Sequence, residues 1–143
     1  MHTHTATFHG VSRATALSLI WNDTHTDFRS SKGYPRSILT PRGLVALDKL
    51  TDDEILVRTA SAIRFKNHRG FVQLGLTVNP NPSRSWCGAI DQNGGAFVVN
   101  LLTGESRKVS DHSDKRTHDA RLTAAFMASE AEADRIAKAA RNG

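Results

Sequence analysis

The sequence predicts an α+β fold: an antiparallel β-meander over about residues 70–109 packed against a long C-terminal helix, with an N-terminal strand and a helical hairpin before them. Three observations carry this. Ser85–Val99 reads as two apolar strand runs around Asn93-Gly94, a pair that accepts the positive φ of a tight type I′ hairpin turn. From Gly70 the hydrophobic period becomes two, with Val72, Leu74, Leu76 and Val78 on one face. From about Thr117 to Arg141 the period is that of a helix, with Leu122, Phe126, Ala133, Ile136 and Ala140 as the apolar stripe and Ala125 and Ala137 beside it.

The remaining elements follow from the N-terminus. Residues 2–9 alternate, and Thr-rich alternation fits a strand. Ser12 is placed to cap a short helix carrying Ala14, Leu17, Leu19, Ile20 and Trp21, with a strand over 15–21 as the competitor. Residues 22–40 are polar and read as a long loop. Thr40-Pro41 looks like a helix start, because proline suits the first helical position. That helix would run to about Leu50 with Leu44, Val45, Leu47 and Leu50 inward. Thr51-Asp52-Asp53-Glu54 is a capping box opening a second helix to about Arg64, which would bury Ile55, Leu56, Ala60 and Ile63. Asn79–Ser83 is a turn region, and Arg107-Lys108-Val109 is a fourth strand. Trp86, Val99 and Phe126 are expected to share one core, and Asp134–Lys138 to pair on the wet face of the last helix.

The 143 residues fit one α+β domain spanning 1–143, with no repeat and no low-complexity segment. No apolar run reaches the roughly 20 residues of a membrane span, so no membrane partner is expected. The N-terminal residues lack a basic start and an apolar core, so a cytoplasmic protein is expected, in the host cytoplasm if phage-borne. Cys87 is the single cysteine and cannot form an internal disulfide.

Net charge is +5, but the middle of the chain supplies it. Residues 28–90 hold ten Lys/Arg against four acids, whereas residues 91–143 hold eight of each. Such a field favours polyanionic partners. Arg29, Lys32, Arg36, Arg42, Arg64, Lys66 and Arg69 are the candidate binding residues, interleaved with Phe28, Tyr34, Phe65 and Phe71. Bases neutralise phosphates and aromatic rings stack on nucleobases, so the mixture suits nucleic acid or a nucleoprotein complex. No helix-turn-helix, zinc-finger or RNP pattern accompanies it, so base-specific readout is not expected.

The other chemistry-bearing residues point less far. His2 and His4 share a strand face, as in barrel-type metal hydrolases, but such barrels need about 200 residues or more. His2-Thr3-His4-Thr5 and His25-Thr26 are similar to the motifs of two-histidine phosphoesterases, yet no internal duplication is visible. Trp86 and Ala89 place Cys87 at a packing position rather than a nucleophilic one. No catalytic group, metal or cofactor is therefore expected.

At the hairpin, Trp86, Asn93-Gly94-Gly95 and Phe97 are followed by Asp119-Ala120 and Leu122–Ala128. Over residues 85–128 this pattern resembles the ArdB/KlcA-type antirestriction proteins of plasmids and phages. The resemblance implies a non-enzymatic inhibitor of a host restriction or CRISPR-type defence. The alternatives are a small enzyme that uses histidines on nucleotides or phosphoesters, with or without a metal, and a structural component of a virion or homo-oligomer.

Overall fold

The structure is a computed structural model that describes residues 7–24 and 37–142. It is α+β, and the chain divides into two compact units, residues 1–63 and 64–143.

The first unit opens with a two-residue hairpin. β1 (Thr7–Phe8) pairs with β2 (Val11–Ser12) through His9 and Gly10, both at positive φ. α1 (Arg13–Thr24) starts where the Ser12 Oγ accepts the Thr15 N–H at 3.2 Å, so Ser12 is the cap and the helix prevails over the strand reading. β3 (Ser37–Thr40) and β4 (Gly43–Ala46) form a second antiparallel hairpin. A 3-10 turn over Leu47–Lys49 follows, and then α2 (Asp52–Gln73). Phe8, Ile20, Ile38, Val45, Leu50 and Ile55 form the core of this unit.

The helix expected over 41–50, and with it the helical hairpin, is replaced by this β-hairpin. Pro41 suits position i+1 of a tight turn as well as it suits a first helical turn. Here Thr40 pairs with Gly43, and Gly43 takes φ 103°, a conformation that glycine supplies without strain. The Thr40 Oγ1 donates to the Gly43 carbonyl at 2.9 Å and accepts the Arg42 N–H at 3.2 Å. The burial period is then two: Ile38 and Val45 are buried, while Leu39 and Leu44 are 58% and 62% exposed.

The second unit holds the end of α2 and a four-stranded antiparallel sheet in order β5-β6-β7-β8. These strands are β5 (Thr77–Asn79), β6 (Trp86–Ile90), β7 (Gly95–Asn100) and β8 (Ser106–Asp111). α3 (His118–Asn142) packs against the sheet. Its first turn is capped by Thr117, whose Oγ1 accepts the Ala120 N–H at 3.1 Å.

α2 continues nine residues past the expected end at Arg64, and only Thr77–Asn79 of the expected strand from Gly70 is a strand. The helix stops at Gly75, with φ 91°. The Leu76 N–H reaches the Phe71 carbonyl at 3.1 Å and the Gly75 N–H reaches the Val72 carbonyl at 3.0 Å, which is a Schellman cap. Phe71 is buried and Leu76 packs beside it, the apolar contact that accompanies such caps.

The hairpin at Asn93-Gly94 joins β6 and β7, with Trp86 opposite Asn100 and Ile90 opposite Ala96. Its turn is wider than the expected two residues. Gly94 alone takes positive φ, at 93°, after Gln92 and Asn93, which makes a three-residue connection. The Asp91 Oδ1 holds it by accepting the Asn93 and Gly95 N–H groups at 2.9 and 2.8 Å.

Each sheet face has its own cover. Gly88 faces α3, whose buried residues are the small Ala125, Ser129 and Ala133. Cys87, Ala89, Val99 and Leu101 point the other way and pack with Val78 and Phe71. The α3 stripe is thus rotated from the expected one: Ala133 is buried, Leu122 and Ile136 are half-buried, and Phe126 is 46% exposed. The shared core of Trp86, Val99 and Phe126 does not form, because Trp86 and Val99 lie on opposite faces.

Candidate nucleic-acid interface

Of the seven basic residues singled out from the sequence, Arg29, Lys32 and Arg36 lie outside the described residues. Arg42 and Arg64 are each tied to neighbouring groups of the fold by hydrogen bonds.

Arg42 belongs to the first unit. Its Nε and Nη2 donate to the two Glu54 carboxylate oxygens at 2.9 and 2.8 Å, and Nη2 also reaches the Lys49 carbonyl at 3.0 Å. Glu54 completes the capping box: Oε1 accepts the Thr51 N–H at 2.9 Å and the Thr51 Oγ1 accepts the Glu54 N–H at 3.2 Å. The Arg42 guanidinium, helped by Thr51, draws the Glu54 carboxyl down to about 2, and the same bond raises Arg42. The charge of Arg42 is therefore matched locally.

Arg64 belongs to the second unit. It donates to the Arg84 carbonyl at 3.2 Å and the Asn81 carbonyl at 2.9 Å, so it staples the 80–84 turn to α2. Its Nη2 is 4.0 Å from the Cys87 Sγ, which also accepts the Asn81 N–H at 3.4 Å. Cys87 is fully buried, in keeping with the packing role. Arg84 is likewise occupied, by Glu130 at 2.9 Å, while Glu130 also accepts the Asn79 amide at 2.9 Å.

Lys66 and Arg69 remain, both exposed on α2 within the second unit. Arg69 lies over the ring of Phe65, with 5.8 Å from guanidinium carbon to ring centroid. Phe65 is 54% exposed and Val72 is 53% exposed. Phe65, His68, Arg69, Val72 and Gln73 line an open groove of about 340 Å³. Residues i, i+3, i+4 and i+7 of a helix share a face, so Phe65, His68, Arg69 and Val72 form one stripe. No Asp or Glu occurs between Glu54 and Asp91. The sequence reading held Phe65, Lys66 and Arg69 but missed His68, Val72 and Gln73. Extending the second helix past Arg64 would have aligned them.

A separate polar cleft of about 600 Å³ lies in the second unit beside the β6–β7 turn, with Asp91, Lys108, Asp111, His118 and Arg121 among its lining. Its charged groups are largely engaged with the fold. Asp91 closes the turn, the Asp111 Oδ2 is 3.5 Å from the Lys108 ammonium, and the Arg121 Nε donates to the Ser113 carbonyl at 3.2 Å. His9 contacts the Leu56 carbonyl at 3.0 Å, His112 contacts the Ser110 hydroxyl at 2.8 Å, and His2, His4 and His25 lie outside the described residues. Among the described residues no group of three or more His, Cys, Asp or Glu is placed to hold a metal ion. No helix among them is long and apolar enough to cross a membrane.

Comparison with protein-family models, curated proteins and solved structures gave no match for this chain.

Proposed function

We propose that this chain is a non-enzymatic accessory protein that binds nucleic acid, or a nucleoprotein complex, through the outer face of α2 in its second unit. One observation carries the reading. Lys66 and Arg69 are the described members of the basic set left exposed and unmatched by an acid, and they flank an exposed aromatic ring. Cations without a local counterion raise the local concentration of a polyanion and release its bound counterions on contact. The likeness of residues 85–128 to antirestriction proteins supplies a setting: a phage or plasmid protein that acts on a host restriction or CRISPR-type complex.

The test is charge reversal at Lys66→Glu with Arg69→Glu, read by filter binding at low salt. Binding should weaken across unrelated sequences, with the circular dichroism spectrum unchanged because both side chains are exposed. Arg42→Glu is the contrast: it should lower the melting temperature by placing two carboxylates together at the start of α2. Unchanged binding in the double variant would overturn the assignment of this face. No binding by the wild-type chain would remove nucleic acid as the partner.

A further inference from the structure

Resting on that assignment, we infer that the α2 face takes a single strand and not a duplex, with a nucleobase stacked on Phe65. A duplex presents phosphates and groove edges, and its base faces are hidden in the stack. Lys66 and Arg69 alone would suit that surface. Phe65 and Val72 would not, since they lay two half-exposed apolar side chains along the same helix face. A single strand supplies what the face lacks, because its unstacked bases offer apolar π-faces.

The geometry divides the work between side chains. The Phe65 ring borders the open groove, with His68 one turn and Val72 two turns further along the helix and Gln73 beside Val72. Arg69 lies over that ring and carries the cation to which a phosphate beside a stacked base would bind. Lys66, adjacent in sequence to Phe65, gives a second cation for the neighbouring phosphate. Gln73 offers an amide to a base edge. The chain from residue 55 to 90, which supplies this face, contains no Asp or Glu to repel the backbone.

The experiment uses the full chain with a labelled oligothymidine strand and the same strand annealed to oligoadenosine. The single strand should bind about tenfold or more tightly than the duplex. Phe65→Ala should weaken single-strand binding by about tenfold, in line with the loss of one stacked base. The same change should leave duplex binding within about twofold. Phe65→Trp should restore single-strand binding, which a merely structural role for the side chain would not require. Equal affinity for the two forms, with Phe65→Ala silent, would overturn the single-strand inference and leave the electrostatic assignment standing. Failure of both probes to bind would overturn both.

Discussion

At Gly88 one missing side chain sets how closely α3 approaches the sheet. A Cβ there would sit 2.8 Å from the Ser129 Oγ, 2.6 Å from the Glu130 Oε1 and 3.2 Å from the Ser129 carbonyl carbon. The Glu130 carboxylate can swing, but the helix backbone can only move away. Gly88→Ala should therefore cost about 1–3 kcal/mol of unfolding free energy, as overpacking of a tight contact does. Urea denaturation of the variant measures it, and an unchanged midpoint would contradict the close packing of helix and sheet. At this scale the sequence disclosed some roles and hid others. Cys87, between Trp86 and Ala89, was legible as a packing residue because its immediate neighbours decide that. Arg42 and Arg64 were not legible as structural residues. Their partners, Glu54 for one and Asn81 and Arg84 for the other, come close only once the hairpin and the 80–84 turn have formed.

Among the elements, the start of α2 is the best-determined junction. Thr51 and Glu54 satisfy each other's backbone N–H groups, and Arg42 of the β3–β4 turn locks the Glu54 carboxylate. Thr51→Ala should cost about 1 kcal/mol, the usual loss for a removed cap, measurable by thermal unfolding. The pH dependence has a definite sign. Glu54 titrates at about 2 in the fold against an ordinary 4.5, so the folded state holds its proton less tightly than the unfolded chain does. Its contribution is present above the ordinary carboxylate range and is lost as pH falls from about 5 towards 2. Asp111, Glu132 and Asp134 are lowered as well, so the wild-type decline has several sources. The difference in melting temperature between wild type and Glu54→Gln isolates this one, and it should shrink as the solution is acidified. A difference independent of pH would show that the ion pair is not formed.

The capping box was legible because its four residues are contiguous and their geometry is local. In the segments 41–50 and 70–76 the structure departs from the sequence pattern for a common reason. In both, a turn residue suits two structures: Pro41 opens a helix or a hairpin turn, and Gly75 ends a helix or interrupts a strand. Tertiary burial chose between them. Ile38 and Val45 go into the first core in alternation, and Phe71 reaches the second core from a helix. The rotation of α3 has a related origin. The sequence stripe follows the largest apolar residues, whereas close approach to Gly88 selects the small face of Ala125, Ser129 and Ala133.

At the scale of the molecule, the excess of positive charge in the middle of the chain separates into distinct roles. Arg42, Arg64 and Arg84 are spent on the fold, while Lys66 and Arg69 stay on the surface beside Phe65. The basic signal in the sequence was thus real as composition, but Arg42, Arg64 and Arg84, three of the seven described residues behind it, are held by partners within the fold. The measurement that tests the central claim most directly is the salt dependence of binding to a labelled single strand, followed by fluorescence anisotropy. If Lys66 and Arg69 each neutralise one phosphate, log K should fall with log salt at a slope of at least about −1.4. The double variant Lys66→Glu/Arg69→Glu should flatten the slope by about that amount. Affinity and slope unchanged by the double reversal would contradict the account.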